Sequence, residues 1–196
     1  MNYRKLLPFL LFTSISMVSQ AYAEPNINGF VHFTVGGSDN VENIAPNGGG
    51  IIDTDNGYSA VASFRGIQES NEYGEMWFPI DPNSDMTKPE PNPVDLTGSN
   101  FAVITYKSNA PAILQLRQWG VHGGNHNMAK LPNTFNKVSK LKLNFSDFKD
   151  WGGNHTLDLS SVAKFNIAFL TEDKKTGTAN IVVTGFTISN YNPTIK

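Results

Sequence analysis

The chain has no cysteine in its 196 residues, which excludes a disulfide framework, a thiolate metal site and every cysteine nucleophile. An acylated lipoprotein terminus is excluded too, because no thiol is present to carry the lipid. Charge is scarce: Asp, Glu, Lys and Arg make up 16% of the residues, and 15 basic against 17 acidic side chains leave a formal net charge of −2. No basic block stands out beyond the first residues, so nucleic acid is a poor partner for this chain. Helical periodicity is also missing, since no stretch of useful length repeats apolar residues at 3.6-residue spacing. Neither a Gly-x-Ser-x-Gly nor a His-Glu-x-x-His motif occurs, which removes the common serine-hydrolase and zincin signatures.

What the chain does have begins with an export signal. Arg4 and Lys5 precede a largely apolar stretch from Leu6 to Val18, and Ala21-Tyr22-Ala23 follows. A basic segment, an apolar segment and a small-x-small site in that order predict a signal peptide over residues 1–23, with Glu24 as the first mature residue. A retained span would need roughly 20 continuous apolar residues, and Pro8, Thr13, Ser14 and Ser16 interrupt this one. The protein is therefore expected to be secreted or periplasmic, with no membrane anchor after cleavage. Residues 24–196 are expected to form a single domain, long enough to support a core without covalent staples.

That domain reads as all-β. Short segments alternate with period two between clusters of turn formers. The predicted strands are Ile27 to Val35, Tyr58 to Arg65, Gly74 to Ile80, Asn100 to Lys107, Ala112 to Trp119, Val138 to Phe145, Phe165 to Leu170 and Ala179 to Ser189. So many strands in one domain point to a sandwich. Leu141, Leu143 and Phe145 share one face of their strand while Lys140, Lys142 and Asn144 share the other, as a half-buried strand requires. Leu114 and Leu116 share a face whose row ends at Gln118. Gln115, Arg117 and Trp119 lie on the opposite face, which has the look of a binding surface. Asn47 to Gly50, Pro82 to Pro93 and Gly120 to Asn127 read as loops; the proline-rich one is a long surface loop rather than a linker, because strands on both sides are needed for one core.

From Val94 onward the motif order becomes specific. Val94-Asp95-Leu96-Thr97-Gly98 leads into Phe101 to Tyr106 and then Ile113-Leu114-Gln115-Leu116-Arg117-Gln118. Leu143-Asn144-Phe145-Ser146-Asp147-Phe148, Trp151, Leu157-Asp158-Leu159-Ser160-Ser161-Val162 and Phe165-Asn166-Ile167-Ala168-Phe169 follow, and Ile181-Val182-Val183-Thr184-Gly185-Phe186-Thr187-Ile188 closes the run. This order resembles the galactose-binding-like β-sandwich superfamily, in particular carbohydrate-binding modules of the family 11 type and CIA30-like domains. The resemblance implies a jelly roll of two antiparallel sheets, sugar bound on the concave face of one sheet, and often a structural calcium near one end. No calcium ligand set can be named from the sequence, and no other cofactor is expected.

A glycan needs flat aromatic faces for its C–H surfaces and planar polar groups for its hydroxyls. Trp77, Tyr106, Gln115, Arg117 and Trp119 offer that chemistry on or beside predicted strands. They are the candidate ligand-binding residues, although the two tryptophans could equally be core and the polar pair an ordinary solvated face. Trp151, in Asp150-Trp151-Gly152-Gly153, reads better as a plug over the end of the sandwich. His122 and His126, four apart, invite a zinc reading, but the glycines between them favour a loop at the rim of the binding face. Asp53-Thr54-Asp55-Asn56-Gly57 lacks the ligand spacing of a calcium-binding EF-hand and reads as a hairpin turn.

Catalysis has thin support. A glycosidase holds two carboxylates about 5 to 9 Å apart. Of Glu69, Glu72, Glu75, Asp147 and Asp158, only Glu75 sits beside a tryptophan on a strand face, and most of the others fall in turns, where carboxylates cap backbone amides. The expectation is an exported, non-catalytic carbohydrate-binding domain that meets a polysaccharide alone or beside a separately encoded glycan-active enzyme. The alternatives are a jelly-roll enzyme acting on polysaccharide and an extracellular structural or protein-interaction domain.

Overall fold

A computed structural model describes residues 34–44, 50–54, 57–67, 72–85, 87–88, 90–121, 126–150, 152, 156–170 and 178–192, with backbone alone at 50–54 and 57–59. The predicted signal peptide, most of the first predicted strand, Glu69, His122 and Trp151 lie outside these residues.

The described strands are β1 (Thr34–Gly37), β2 (Glu42–Asn43), β3 (Gly50–Thr54), β4 (Gly57–Arg65), β5 (Tyr73–Pro79), β6 (Phe101–Ser108), β7 (Ala112–Gln118), β8 (Asn127–Leu131), β9 (Ser139–Asn144), β10 (Val162–Leu170) and β11 (Thr178–Ile188). They form a five-stranded sheet in the order β1-β5-β10-β7-β8 and a second sheet in the order β2-β4-β11-β6-β9, with β3 also paired to β4. Every pairing is antiparallel. The predicted all-β sandwich is thus present, with β2, β3 and β8 as additions to the predicted strands. Thr54 pairs with Gly57 in the antiparallel register of β3 and β4; the predicted turn falls on residues 55–56, which lie outside the described residues. The proline-rich stretch lies between β5 of one sheet and β6 of the other, and it is fastened by Asp81 and Ser84, which accept the Asn83 and Asn92 amides.

Alternation explains which side chains meet inside. Along β6, Ala102, Ile104, Tyr106 and Ser108 are buried while Phe101, Val103, Thr105 and Lys107 are partly exposed. β11 would lose this alternation halfway were it regular. A bulge between Val183 and Gly185 inserts one residue, so that Ile181 and Val183 before it and Phe186 and Ile188 after it all turn inward. The two sheets are joined by an aromatic stack: Phe78 on β5 lies 4.7 Å from Phe165 on β10, which lies 3.9 Å from Phe186 on β11. Phe64 on β4 meets Phe169 edge-on at 6.1 Å. Gly74 permits that second contact, because a Cβ at this position would run into the Phe64 ring.

Candidate functional site

The outer face of the five-stranded sheet is built from the residues that alternate with this core. Strand register places them in rows. Trp77 pairs with Asn166, Asn166 with Gln115, and Gln115 with Met128. On one side of that row run Glu75, Ala168, Ile113 and Lys130. On the other side Pro79 pairs with Lys164 and Lys164 with Arg117, and His126 stands just ahead of β8 beside Arg117.

The central row is unusual for a sheet surface. Asn166 is completely buried, Gln115 is 8% exposed and His126 is 4% exposed. Burying amides requires partners, and most are supplied within the face. The Asn166 Nδ2 donates to Glu75 Oε2 at 2.6 Å and to Gln115 Oε1 at 2.9 Å. An amide has two donor hydrogens and an acceptor oxygen, so both donors are used, while the Asn166 Oδ1 has no hydrogen-bond partner among the described residues. Arg117 Nη2 lies 2.7 Å from His126 Nε2. A guanidinium can only donate, so in this contact the imidazole nitrogen is the acceptor.

Lys164 sits with its ammonium 4.3 Å from the centre of the Trp77 ring, a cation–π distance. One face of that indole is therefore already covered. Burial first, then the Arg117 charge, holds the Lys164 ammonium below the ordinary lysine range, with Glu75 and Glu90 acting the other way. A bulge between Val162 and Lys164 on β10 sets this end of the face: Val162, opposite Gln118, turns into the core, and Lys164 turns out beside Arg117.

Four of the five sequence candidates are brought together on or at the end of this face. Trp77, Gln115 and Arg117 share it, and Trp119, 45% exposed, follows at the end of β7, where its amide donates to the Ser161 carbonyl. Tyr106 does not join them, which corrects the expectation for that residue. It lies on the other sheet, 1% exposed and turned into the core, and its hydroxyl donates to the Pro132 carbonyl at 2.8 Å. Burial pushes this phenol up to about 12.

Sequence reasoning missed Asn166 and Lys164 as parts of the face. The signal was available in Lys164-Phe165-Asn166-Ile167-Ala168-Phe169, where Lys, Asn and Ala alternate with three large apolar residues. His126, expected in a loop at the rim of the face, stands just ahead of β8 with its ring against Arg117. Glu75 shares its strand face with Trp77 as read, and its carboxylate is held by Asn166.

Beyond the row of Glu75 and Ala168 the face continues into an open recess of about 360 Å³, lined by Pro111, Ile113, Lys130, Pro132, Ala168 and Leu170. A second recess, of about 530 Å³, lies at the end of the other sheet against Asn144, Phe145 and Lys149 and contains none of the candidate residues. Among the described residues no group of three or more His, Asp or Glu side chains is placed to hold a metal ion, so the calcium that the resemblance implies finds no fitting acidic set there. Asp158 acts as a turn cap, accepting the Ser160 amide and hydroxyl.

No family model matches the sequence, and no curated protein matches it. Solved structures do. A family 11 carbohydrate-binding module from Clostridium thermocellum, in complex with a β-1,3-1,4-mixed-linked tetrasaccharide, superposes with a TM-score of 0.58 at 13% identity, covering 83% of this chain and 91% of that one. The fold is a galactose-binding-like jelly roll. The family 11 module of a cellulosomal cellulase from Clostridium thermocellum gives 0.54 at 15% identity, over 83% of this chain and 92% of its own. At these identities the likeness is one of fold, and the galactose-binding-like jelly roll supplies the sheet on which the polar face described above is mounted.

Proposed function

We propose that the protein is an exported, non-catalytic carbohydrate-binding domain that holds a polysaccharide on the outer face of its five-stranded sheet. The observation that carries this reading is the linked array Glu75–Asn166–Gln115, flanked by Arg117, Trp77 and Trp119. The buried amides of Asn166 and Gln115 fix their neighbours in place, so that the half-buried Glu75, Trp77 and Arg117 can meet a sugar without losing much entropy on binding. Trp119 adds an exposed aromatic surface at the end of the same face. Recognition of sugar in this reading needs no reacting group. Glu75 is the only carboxylate in the three rows, whereas hydrolysis of a glycosidic bond uses a pair.

The sequence of the first 23 residues supports export, and amino-terminal sequencing of the protein from a secreting host is expected to begin at Glu24. Affinity electrophoresis through gels containing individual polysaccharides tests the binding. The protein is expected to be retarded by at least one of them, with Arg117→Ala and Trp119→Ala migrating close to their rates in the empty gel. Free migration in every polysaccharide contradicts the proposal. Release of reducing ends that stops with Glu75→Gln would instead favour an enzyme.

A further inference from the structure

The end of the face formed by Lys164 and Arg117 carries a charge arrangement that neutral sugar does not explain. The two residues are direct cross-strand partners on adjacent strands, and like charges in that position repel. Both are half-buried. Neither closes an ion pair among the described residues, where the single salt bridge joins Arg65 to Glu42 on the other sheet. Arg117 contacts the His126 ring, and Lys164 rests on the Trp77 ring.

Two acids stand near. Glu75, two residues from Trp77 on β5, gives one carboxylate oxygen to Asn166, and Glu90 receives the Gly120 amide. Both attract the Lys164 ammonium without bonding to it. The net charge of the chain is −2, so attraction for an anion must be local to this end of the sheet rather than a property of the whole molecule.

We infer that the polysaccharide is acidic, and that a carboxylate or sulfate group on one of its sugars is held between Arg117 and Lys164. This inference rests on the glycan-binding proposal and specifies its ligand class. The geometry suits such a group. His126 occupies one guanidinium donor and fixes the plane of the fork, leaving other N–H groups of Arg117 for a planar or tetrahedral anion. Trp77 fixes the Lys164 ammonium beside it. The anion offsets the repulsion between the two cations.

The test compares matched polymers. Polygalacturonate and alginate supply carboxylates, and a sulfated galactan supplies sulfate; each is run against its carboxyl-reduced or desulfated counterpart in affinity gels and by calorimetry. At least one acidic polymer is expected to bind about tenfold or more tightly than its neutralised form, and its affinity is expected to fall as salt is raised from about 50 to about 500 mM. Arg117→Gln and Lys164→Gln should each remove most of that preference, and Arg117→Lys, which keeps the charge but not the fork, should restore part of it. Which polymer pair shows the preference distinguishes carboxylate from sulfate. Equal binding of acidic and neutralised forms overturns the acidic-ligand inference and leaves the glycan-binding proposal standing. Acidic binding that is indifferent to folded Arg117→Gln and Lys164→Gln proteins also overturns it. Binding to no polymer overturns both.

Discussion

The two sheets of this sandwich share one core, yet their outer faces differ in kind. On the six-stranded side, Val103, Thr105, Lys140, Lys142 and Val182 are half-buried or exposed, and the contact that stands out is Lys142 over the Phe101 ring at 3.9 Å. Apart from the Thr105 hydroxyl, buried without a partner among the described residues, that is an ordinary solvated strand face. On the five-stranded side, Asn166, Gln115 and His126 are buried and tied to Glu75 and Arg117 by hydrogen bonds. Sheet formation alone asks for nothing of the sort, because water would satisfy polar residues left on a surface. A polar layer held this closely, with the Asn166 carbonyl oxygen unpaired among the described residues, costs folding free energy, and the proposed site rests on that observation.

The largest effect should come from the core that both faces rest on. Phe165→Ala removes the middle ring of the Phe78–Phe165–Phe186 stack, and a urea titration should show a loss of about 4 kcal/mol. A loss below about 1 kcal/mol would mean that the sheets are not joined by this stack. Next comes the alkaline limit. The Tyr106 phenol titrates near 12 in the fold against 10.0 ordinarily, so its contribution is complete below pH 10 and is lost as pH rises toward 12. Over that interval stability should fall by about 3 kcal/mol. Tyr106→Phe should flatten that part of the pH profile; an unchanged slope would place the phenol in water.

Two smaller effects separate the faces. Asn166→Leu should leave the fold stable to within about 2 kcal/mol, since it removes an orphaned carbonyl along with two bonds, while lowering polysaccharide affinity about tenfold or more. Lys142→Gln on the opposite face should change stability by no more than about 0.5 kcal/mol and leave affinity unchanged. Equal losses of affinity in both variants would erase the contrast between the faces.

Much of this was legible in the sequence. Strands β4, β5, β6, β7, β9 and β11 follow from period-two alternation between turn clusters, and the galactose-binding-like jelly roll follows from the order of the later motifs. β8 was hidden because its inward residues, Asn127, Ala129 and Leu131, contrast weakly with Met128 and Lys130, and it follows a glycine-rich run that reads as loop. β10 was predicted from Phe165, three residues late, because its bulge at the start breaks the alternation there. Tyr106 was misplaced for a different reason: a phenol suits either a sugar platform or a core with one carbonyl in reach, and only the fold brings Pro132 within 2.8 Å. Its parity with Ala102 and Ile104 pointed inward. The proposed site is half visible in the sequence. Gln115, Arg117 and Trp119 stand out against Leu114 and Leu116, but the link from Glu75 through Asn166 joins residues 91 positions apart, and pairing of β5 with β10 cannot be read from either strand alone.

The central claim is that ligand meets the outer face of the five-stranded sheet. Its most direct test is an amide and side-chain NMR titration of the protein with oligosaccharides from whichever polysaccharide retards it. The account predicts that the Trp77 and Trp119 indole signals and the Gln115 and Asn166 side-chain amides shift together. Shifts confined to Phe101 to Lys107 and Lys140 to Asn144, with those four unmoved, would contradict it.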